Sequence, residues 1–142
     1  MRLTCMHPTA GYVTGETNET SLVLLLSYRN FTGLFTGDVE GNGEREAWRY
    51  AEEYLDGMNA DRLTLLKVAH HGSNNSTKEE MLDDFMPALS LISCGKNNRY
   101  GHPHKELVER LEKVGSRIYL TTKSGAVTVG TDGKNVWVRT FK

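Results

Sequence analysis

Short apolar runs of strand length alternate along this chain with segments in which apolar residues recur at helical spacing. Residues 21–28 and 31–36, separated by Arg29 and Asn30, predict a hairpin of two strands, at least one of them buried on both faces. Further short strands are predicted at residues 62–69, 88–93, 117–121, 126–130 and 136–141. Strands that alternate with helices indicate a layered α/β domain rather than a helical bundle or a pure β-sandwich.

Three helices are predicted between these strands, because apolar residues there repeat every three or four positions. Their apolar stripes are Ala47, Trp48, Ala51, Tyr54 and Leu55, then Met81, Leu82, Phe85 and Met86, then Leu107, Val108, Leu111 and Val114. Residues placed to end the three helices are Gly57, Pro87 and Gly115.

The sequence signals for where the helices begin are weaker than those for where they end. Ser76 with Glu79, or Thr77 with Glu80, forms a capping-box pattern for the second helix. His102, followed by Pro103, is the expected N-cap of the third helix. The polar, Gly- and Thr-rich stretch up to Thr20 predicts a loop or a loosely attached arm, which covers residues 1–17.

Length and charge exclude several classes of protein. The 142 residues suit a single domain with a core of its own. A formal net charge of −1 argues against generalised electrostatic binding to nucleic acid, although a local basic patch is compatible with it. No apolar run approaches the roughly 18–20 residues of a membrane helix, so we expect the chain as given to be soluble. Cys5 and Cys94 lie far apart and have no CxxC spacing, so the sequence indicates neither a disulfide framework nor a zinc ribbon.

Polar side chains follow three of the strand-like runs. Asp38 and the pair His70 and His71 come directly after such runs, and His102 comes at the end of the loop that follows the next one. Because the carboxyl ends of strands in layered α/β folds share one edge, these side chains are expected to converge there. Asp38 suits a metal ligand that bridges two cations, and the alternative is an ordinary Asx turn.

The histidines allow more than one interpretation. Neighbouring imidazoles at the end of an apolar strand cost free energy if they are buried without partners, and a metal or carboxylate would remove that cost. We expect one of His70 and His71 to coordinate and the other to orient or pack, and the sequence leaves open which. His102 could bind a phosphate oxygen or donate a proton to a leaving group, or simply cap a helix. Ser73 lacks a nucleophile elbow, so its hydroxyl is expected to cap or to touch substrate.

Taken in order, these motifs resemble those of a known family. Its pattern is carried by Asn18-Glu19-Thr20-Ser21-Leu22-Val23-Leu24-Leu25-Leu26, Leu34-Phe35-Thr36-Gly37-Asp38-Val39-Glu40, Leu66-Lys67-Val68-Ala69-His70-His71-Gly72-Ser73, Ile92-Ser93-Cys94-Gly95 and Asn98-Arg99-Tyr100-Gly101-His102-Pro103. From about Asn18 to Val129 the chain resembles a metallo-β-lactamase-fold domain, specifically the hydrolase domain of ComEC-type DNA-internalisation competence proteins. The resemblance implies an αββα sandwich, of which this chain would be the C-terminal half.

The same resemblance implies a hydrolase that uses two divalent metals, zinc or manganese, on phosphodiester bonds. It makes Asp38 the bridging metal ligand, makes His70 or His71 a second ligand, and places His102 beside the substrate phosphate. Ser73, Asn98 and Tyr100 would then contact the substrate. Relatives of this kind are attached to a bacterial cytoplasmic membrane protein, but no direct membrane contact is expected from this chain.

One large part of the family pattern is absent. No His-x-His-x-Asp-His motif occurs in the sequence, only His7 precedes Asp38, and Asn18 stands near where many relatives have a further histidine. A tightly held zinc ion needs three or four protein ligands, so we expect metal binding to be weak or absent in this chain and the chain alone to be inactive. Expected partners are DNA or another phosphodiester, the missing N-terminal half, or a second copy. The alternative is a non-catalytic binding or oligomerisation module.

Overall fold

The computed structural model describes residues 1–58, 60 and 62–142. Its strands are β1 (Arg2–His7), β2 (Val23–Tyr28), β3 (Phe31–Phe35), β4 (Leu65–Lys67), β5 (Leu89–Ile92), β6 (Arg117–Leu120), β7 (Ala126–Thr131) and β8 (Val136–Phe141). Its helices are α1 (Gly41–Gly57), α2 (Glu79–Phe85), α3 (Lys105–Lys113) and the short α4 (Thr121–Ser124), with 3-10 turns at Thr17–Thr20 and Ala69–Gly72. The mixed α/β class predicted from the sequence is therefore confirmed. That this is half of an αββα sandwich stays a prediction.

Six strands form one sheet in the order β1-β2-β3-β4-β5-β6, and β7 pairs with β8 in a separate hairpin. The first three strands are antiparallel, while β3 to β6 run parallel. Parallel strands need crossover connections, and α1, α2 and α3 supply them. The carboxyl ends of β3, β4 and β5 consequently lie side by side at one edge of the sheet.

The core lies between one face of this sheet and the three longer helices. Side chains alternate across the strands, so that β2 buries Val23 and Leu25 while Leu24 and Leu26 are only partly covered. Fully buried leucines on neighbouring strands, Leu34 and Leu66, continue the inner row. The helices contribute Ala47, Ala51, Leu55, Met81, Leu82, Phe85, Leu107 and Leu111 to the same core. Within the described part of the chain, no helix is long and apolar enough to cross a membrane.

The first strand was not expected. Residues Arg2–His7 pair antiparallel with β2 at the edge of the sheet, so the prediction of a loop or arm across residues 1–17 is wrong for this segment. The strand is held because Met6 and His7 are buried at its end, where His7 Nε2 lies 2.6 Å from the carbonyl oxygen of Glu19. Its other side chains are mostly exposed, which hides the apolar pattern from sequence inspection.

Two predicted helix starts are also wrong. Helix α2 begins at Glu79 with Lys78 at its N-cap position, so neither Ser76 nor Thr77 caps it and it has no side-chain cap. The Ser76 hydroxyl instead lies 3.3 Å from the Ala69 carbonyl oxygen and 3.2 Å from that of Ser73, and it can donate to one of them. Helix α3 has His104, not His102, at its N-cap position. The two-residue shift removes His102 from the helix terminus, and with it the argument that the helix dipole acts on that imidazole.

Candidate functional site

Asp38 lies in the turn between β3 and α1, at the carboxyl edge of the sheet. Two hydrogen bonds fix this turn to the next strand: the Thr36 hydroxyl donates to the Lys67 carbonyl at 2.6 Å, and the His70 amide donates to the Gly37 carbonyl at 3.1 Å. The turn after β3 and the turn after β4 are therefore held together. As the sequence predicts, Asp38 and the histidine pair converge at one edge of the sheet.

His71 presents one ring nitrogen to Asp38. Its Nδ1 lies 2.7 Å from the Ser93 carbonyl oxygen, which can only accept, so Nδ1 carries the proton. The neutral ring then has its lone pair on Nε2, which lies 3.6 Å from Asp38 Oδ1. A lone pair that faces a carboxylate oxygen is an arrangement that a cation would stabilise. Both side chains are about half exposed, at 51% and 46%, so a ligand can reach them.

His70 is held by a different carboxylate. Its Nδ1 lies 2.7 Å from Oε1 of Glu40, the residue that precedes α1. The Ser73 hydroxyl donates to the same oxygen at 3.1 Å, and the Asn18 side-chain amide donates to Oε2 at 3.4 Å. Three groups thus fix the Glu40 carboxylate, and that carboxylate in turn fixes the orientation of the His70 ring.

Backbone strain accompanies this arrangement. His70 and His71 both have positive φ, 44° and 55°, in a region that residues other than glycine seldom adopt. Such conformations cost roughly 1–3 kcal/mol each and persist where the surrounding structure enforces them, commonly at functional sites. Because of these left-handed residues, the two rings do not alternate as in a strand: they lie at the same edge, with centroids 6.3 Å apart.

His102 joins the cluster from the loop before α3. Its ring centroid lies 5.5 Å from that of His70 and 4.9 Å from that of His104. Burial and the neighbouring histidines, His104 first, lower the pKa of His102, which favours the neutral imidazole. Next to it, the exposed Tyr100 ring stacks on His102 with centroids 5.7 Å apart.

Asn98 and Ser73 both hydrogen-bond within the protein. The Asn98 side chain accepts from the His102 amide at 2.8 Å and donates to the carbonyls of His102 and Gly95, at 2.7 and 2.8 Å. It therefore shapes the loop that carries Tyr100 and His102. Ser73 is buried against Glu40, which makes it a support for the His70 side of the site.

Sequence reasoning did not single out two members of the cluster. Glu40 lies two residues after Asp38 and directly before α1, and a second acidic residue so close to Asp38 is the signal that could have identified it. His104 is half-buried, and its Nδ1 accepts from the Asn74 amide at 3.0 Å, which fixes its ring beside His102. His7 is fully buried, and its ring lies against the Glu19 carbonyl and the Glu46 carboxylate.

The donors fit part of a metal site. Two ligands on a tetrahedral zinc ion are separated by about 3.4 Å, given bond lengths near 2.1 Å, and Asp38 Oδ1 and His71 Nε2 are 3.6 Å apart. Among the residues that the structure describes, however, no group of three or more His, Cys, Asp or Glu side chains is arranged to hold a metal ion. The described residues therefore offer a pair of donors and not a complete site.

Three curated bacterial proteins are similar to most of this chain. ComE operon protein 3 of Bacillus subtilis is 37% identical over 110 residues, which are 78% of this chain and 13% of that protein. Recombination protein 2 of Haemophilus influenzae is 32% identical over 117 residues, 82% of this chain and 14% of that protein. Competence protein ComA of Neisseria gonorrhoeae is 31% identical over 117 residues, 81% of this chain and 16% of that protein.

The chain thus spans between 13% and 16% of the length of these relatives. No family model matches it.

Proposed function

From its similarity to competence-related bacterial proteins, we propose that this chain is the C-terminal portion of a metal-dependent phosphodiester hydrolase domain that acts on DNA during uptake. The similarity covers the segments that carry Asp38, the histidine pair and His102. Since it covers only 13% of ComE operon protein 3, the activity proposed here is that of the complete domain. The remaining metal ligands would come from outside these 142 residues.

The observation that carries the proposal is the meeting of Asp38 and His71 at 3.6 Å, with the Ser93 carbonyl fixing the tautomer of the imidazole. Metal-binding histidines typically donate their other ring N–H to a carbonyl or carboxylate, and both His71 and His70 have such a partner. Geometry therefore favours His71 as the ligand that shares a cation with Asp38. His70, held by Glu40, either completes the coordination or orients the substrate.

The other cluster residues have roles that follow from their contacts. His102, kept neutral by its surroundings, can accept or pass a proton at the phosphate or hydrogen-bond one of its oxygens. Tyr100 is 61% exposed and offers a flat ring to substrate, while Ser73 and Asn98 support the site from behind. Zinc or manganese, when bound, would supply the Lewis acidity that phosphodiester hydrolysis needs.

A metal titration tests this proposal. We expect one weakly bound zinc or manganese ion per chain, measured by calorimetry, because two donors bind far less tightly than three or four. Asp38→Ala and His71→Ala should each lower the affinity by more than the roughly 10–100-fold that loss of an outer-shell partner costs. Exposed Asp83 on α2 provides a matched control, and Asp83→Ala should leave the affinity unchanged. Equal binding by the Asp38 variant and the wild type would refute the assignment.

A binding or oligomerisation module is the second candidate, favoured by the outer face of the sheet. This face carries Leu3 on β1 and Phe35 on β3, exposed by 59% and 37%, beside the partly covered Leu24 and Leu26 of β2. Contiguous exposed apolar side chains of this kind commonly mark a contact surface.

If this face joins two copies, multi-angle light scattering should report a dimer that Phe35→Glu converts to a monomer. Exposed Val13, a matched apolar position outside the sheet, should tolerate Val13→Glu without a change of mass. A wild-type chain that stays monomeric at all concentrations would exclude self-association through this face.

A further inference from the structure

A second concave surface lies at the end of the sheet opposite the histidine cluster. It is a cleft of about 460 Å³, and its lining includes Thr64 just before β4, Leu89 at the start of β5, Arg117 at the start of β6, and Trp137 of β8. Asp38 and the histidine pair follow the carboxyl ends of β3 and β4, whereas Thr64, Leu89 and Arg117 lie at the amino ends of β4, β5 and β6. The cleft is therefore separate from the candidate metal site.

Flat aromatic rings form part of its lining. Trp137 is 46% exposed and lies across Gly130 of β7, where a Cβ atom would come within 2.3 Å of the indole nitrogen. The missing side chain at Gly130 thus makes room for the indole against the hairpin. Tyr119 of β6 also lines the cleft, and the Arg117 guanidinium lies 5.2 Å from its ring centroid. An arginine and two aromatic rings accordingly line the same cleft, and the arginine contacts one of the rings.

The segment from residue 117 to residue 142 is strongly positive, although the whole chain has a net charge of −1. The only acidic residue from position 117 to the end is Asp132, and the basic ones are Arg117, Lys123, Lys134, Arg139 and Lys142. The backbone and side-chain N–H groups of Asn135 and the backbone amide of Lys134 donate hydrogen bonds to the Asp132 carboxylate. These bonds lower the pKa of Asp132 to about 2 and hold its carboxylate within its own turn. The described lining of the cleft includes no carboxylate.

We propose that this cleft binds single-stranded nucleic acid, with a base stacked on Trp137 and a backbone phosphate beside Arg117. Single strands are bound by exposed aromatic rings that stack on bases and by basic side chains that follow the phosphates, and both features are adjacent here. A duplex keeps its bases stacked on each other and offers none to the indole. The inference goes beyond the proposed hydrolase function, because the surface contains no member of the metal site and needs no metal.

The tryptophan itself provides a readout. Trp48, the other tryptophan, is 9% exposed in the core, so quenching by an added oligonucleotide reports on Trp137. In buffer with EDTA, we expect oligothymidylate and oligouridylate of 12 nucleotides to quench the emission and a duplex of the same length to bind much more weakly. Anisotropy of the labelled oligonucleotides should show affinity about 10-fold lower for Trp137→Leu. Arg117→Gln should weaken binding and reduce the salt slope by about 0.7 for one lost phosphate contact.

Control variants separate this surface from the rest of the protein. Arg49→Gln alters another exposed arginine that lies over a tyrosine, with its guanidinium 4.3 Å from the Tyr50 ring, but on α1, and it should bind normally. Asp83→Ala, on the exposed side of α2 and outside both the cleft and the histidine cluster, should also bind normally. Because oligonucleotide binding is measured in EDTA, failure of the metal titration and failure of this proposal are distinguishable. Thermal unfolding confirms that each variant is folded.

Three results would overturn the proposal: equal oligonucleotide affinity of wild type and Trp137→Leu, equal affinity for duplex and single strand, or absence of binding. If oligonucleotides do not bind and Trp137→Leu converts a dimer to a monomer, the cleft is occupied by a second copy of the chain instead.

Discussion

Gly72→Ala is expected to destabilise the protein by roughly 2–5 kcal/mol and to disrupt the histidine cluster. Gly72 is buried, has φ of 90°, and directly follows His71. A Cβ atom there would lie 2.6 Å from Pro103 Cβ and 3.0 Å from Leu107 Cδ2. The carbonyl of Gly72 also accepts the His104 amide at 2.9 Å. Backbone strain and overlap therefore add together at the point where the turn after β4 meets the loop before α3.

Gly101→Ala is the matched control for this prediction. Gly101 also has a positive φ, 73°, but a Cβ atom added there would have no neighbouring atom within 4 Å, so the substitution should cost only the conformational strain, about 1 kcal/mol. Urea unfolding of the two variants separates the two contributions. If Gly72→Ala lowered the free energy of unfolding by no more than Gly101→Ala does, overlap with Pro103 would not contribute to the destabilisation. A folded Gly72→Ala protein should also bind zinc more weakly than the wild type, because Gly72 fixes the position of His71.

Most strands could be predicted because their residues are buried on one face or both. The hairpin of β2 and β3 and the parallel strands β4 and β5 follow apolar runs that sequence inspection recognises. Strand β1 could not be found in this way, since it is an edge strand whose pairing with β2 bridges some twenty residues of the chain and whose side chains are largely exposed. Only Met6 and His7 at its end are buried, too few to make an alternating pattern.

The candidate site could be predicted as a location but not in its contacts. The order of strands and turns places Asp38, His70, His71 and His102 at one edge, and this much follows from topology. Which histidine faces Asp38 depends on two left-handed backbone conformations, and these have no signature in the sequence. The side-chain hydrogen bond between Glu40 and His70 joins residues thirty positions apart. It forms only when α1 and the turn after β4 pack together.

Glu44, on the first turn of α1, gives the second large effect. Its side chain is 2% exposed and its carboxylate accepts a hydrogen bond from the Thr77 amide. Burial raises the pKa of Glu44 from 4.5 to about 7, although the Thr77 hydrogen bond and the charge of Lys78 act in the opposite direction. The folded protein therefore holds a proton on Glu44 more tightly than the unfolded chain does.

Because the folded-state pKa of Glu44 is the higher one, its contribution to stability is complete below about pH 4.5 and is lost as the pH rises through about 7. The corresponding change in the free energy of unfolding is about 3 kcal/mol. Glu44→Gln removes this pH dependence of stability, and the amide oxygen of the glutamine can still accept from Thr77. The free energy of unfolding of the variant, relative to that of the wild type, should therefore increase by about 3 kcal/mol between pH 4 and pH 8.

Urea unfolding of the wild type and Glu44→Gln at a series of pH values measures this difference directly, because groups common to both proteins cancel from it. Glu52→Gln, on the exposed side of the same helix, should differ from the wild type by no more than about 0.5 kcal/mol at every pH. Parallel curves for wild type and Glu44→Gln would mean that the Glu44 carboxyl is ionised in the fold at the same pH as in the unfolded chain. A difference that grows with pH would instead show that a buried acid, outside the histidine cluster, makes this fold less stable above neutral pH.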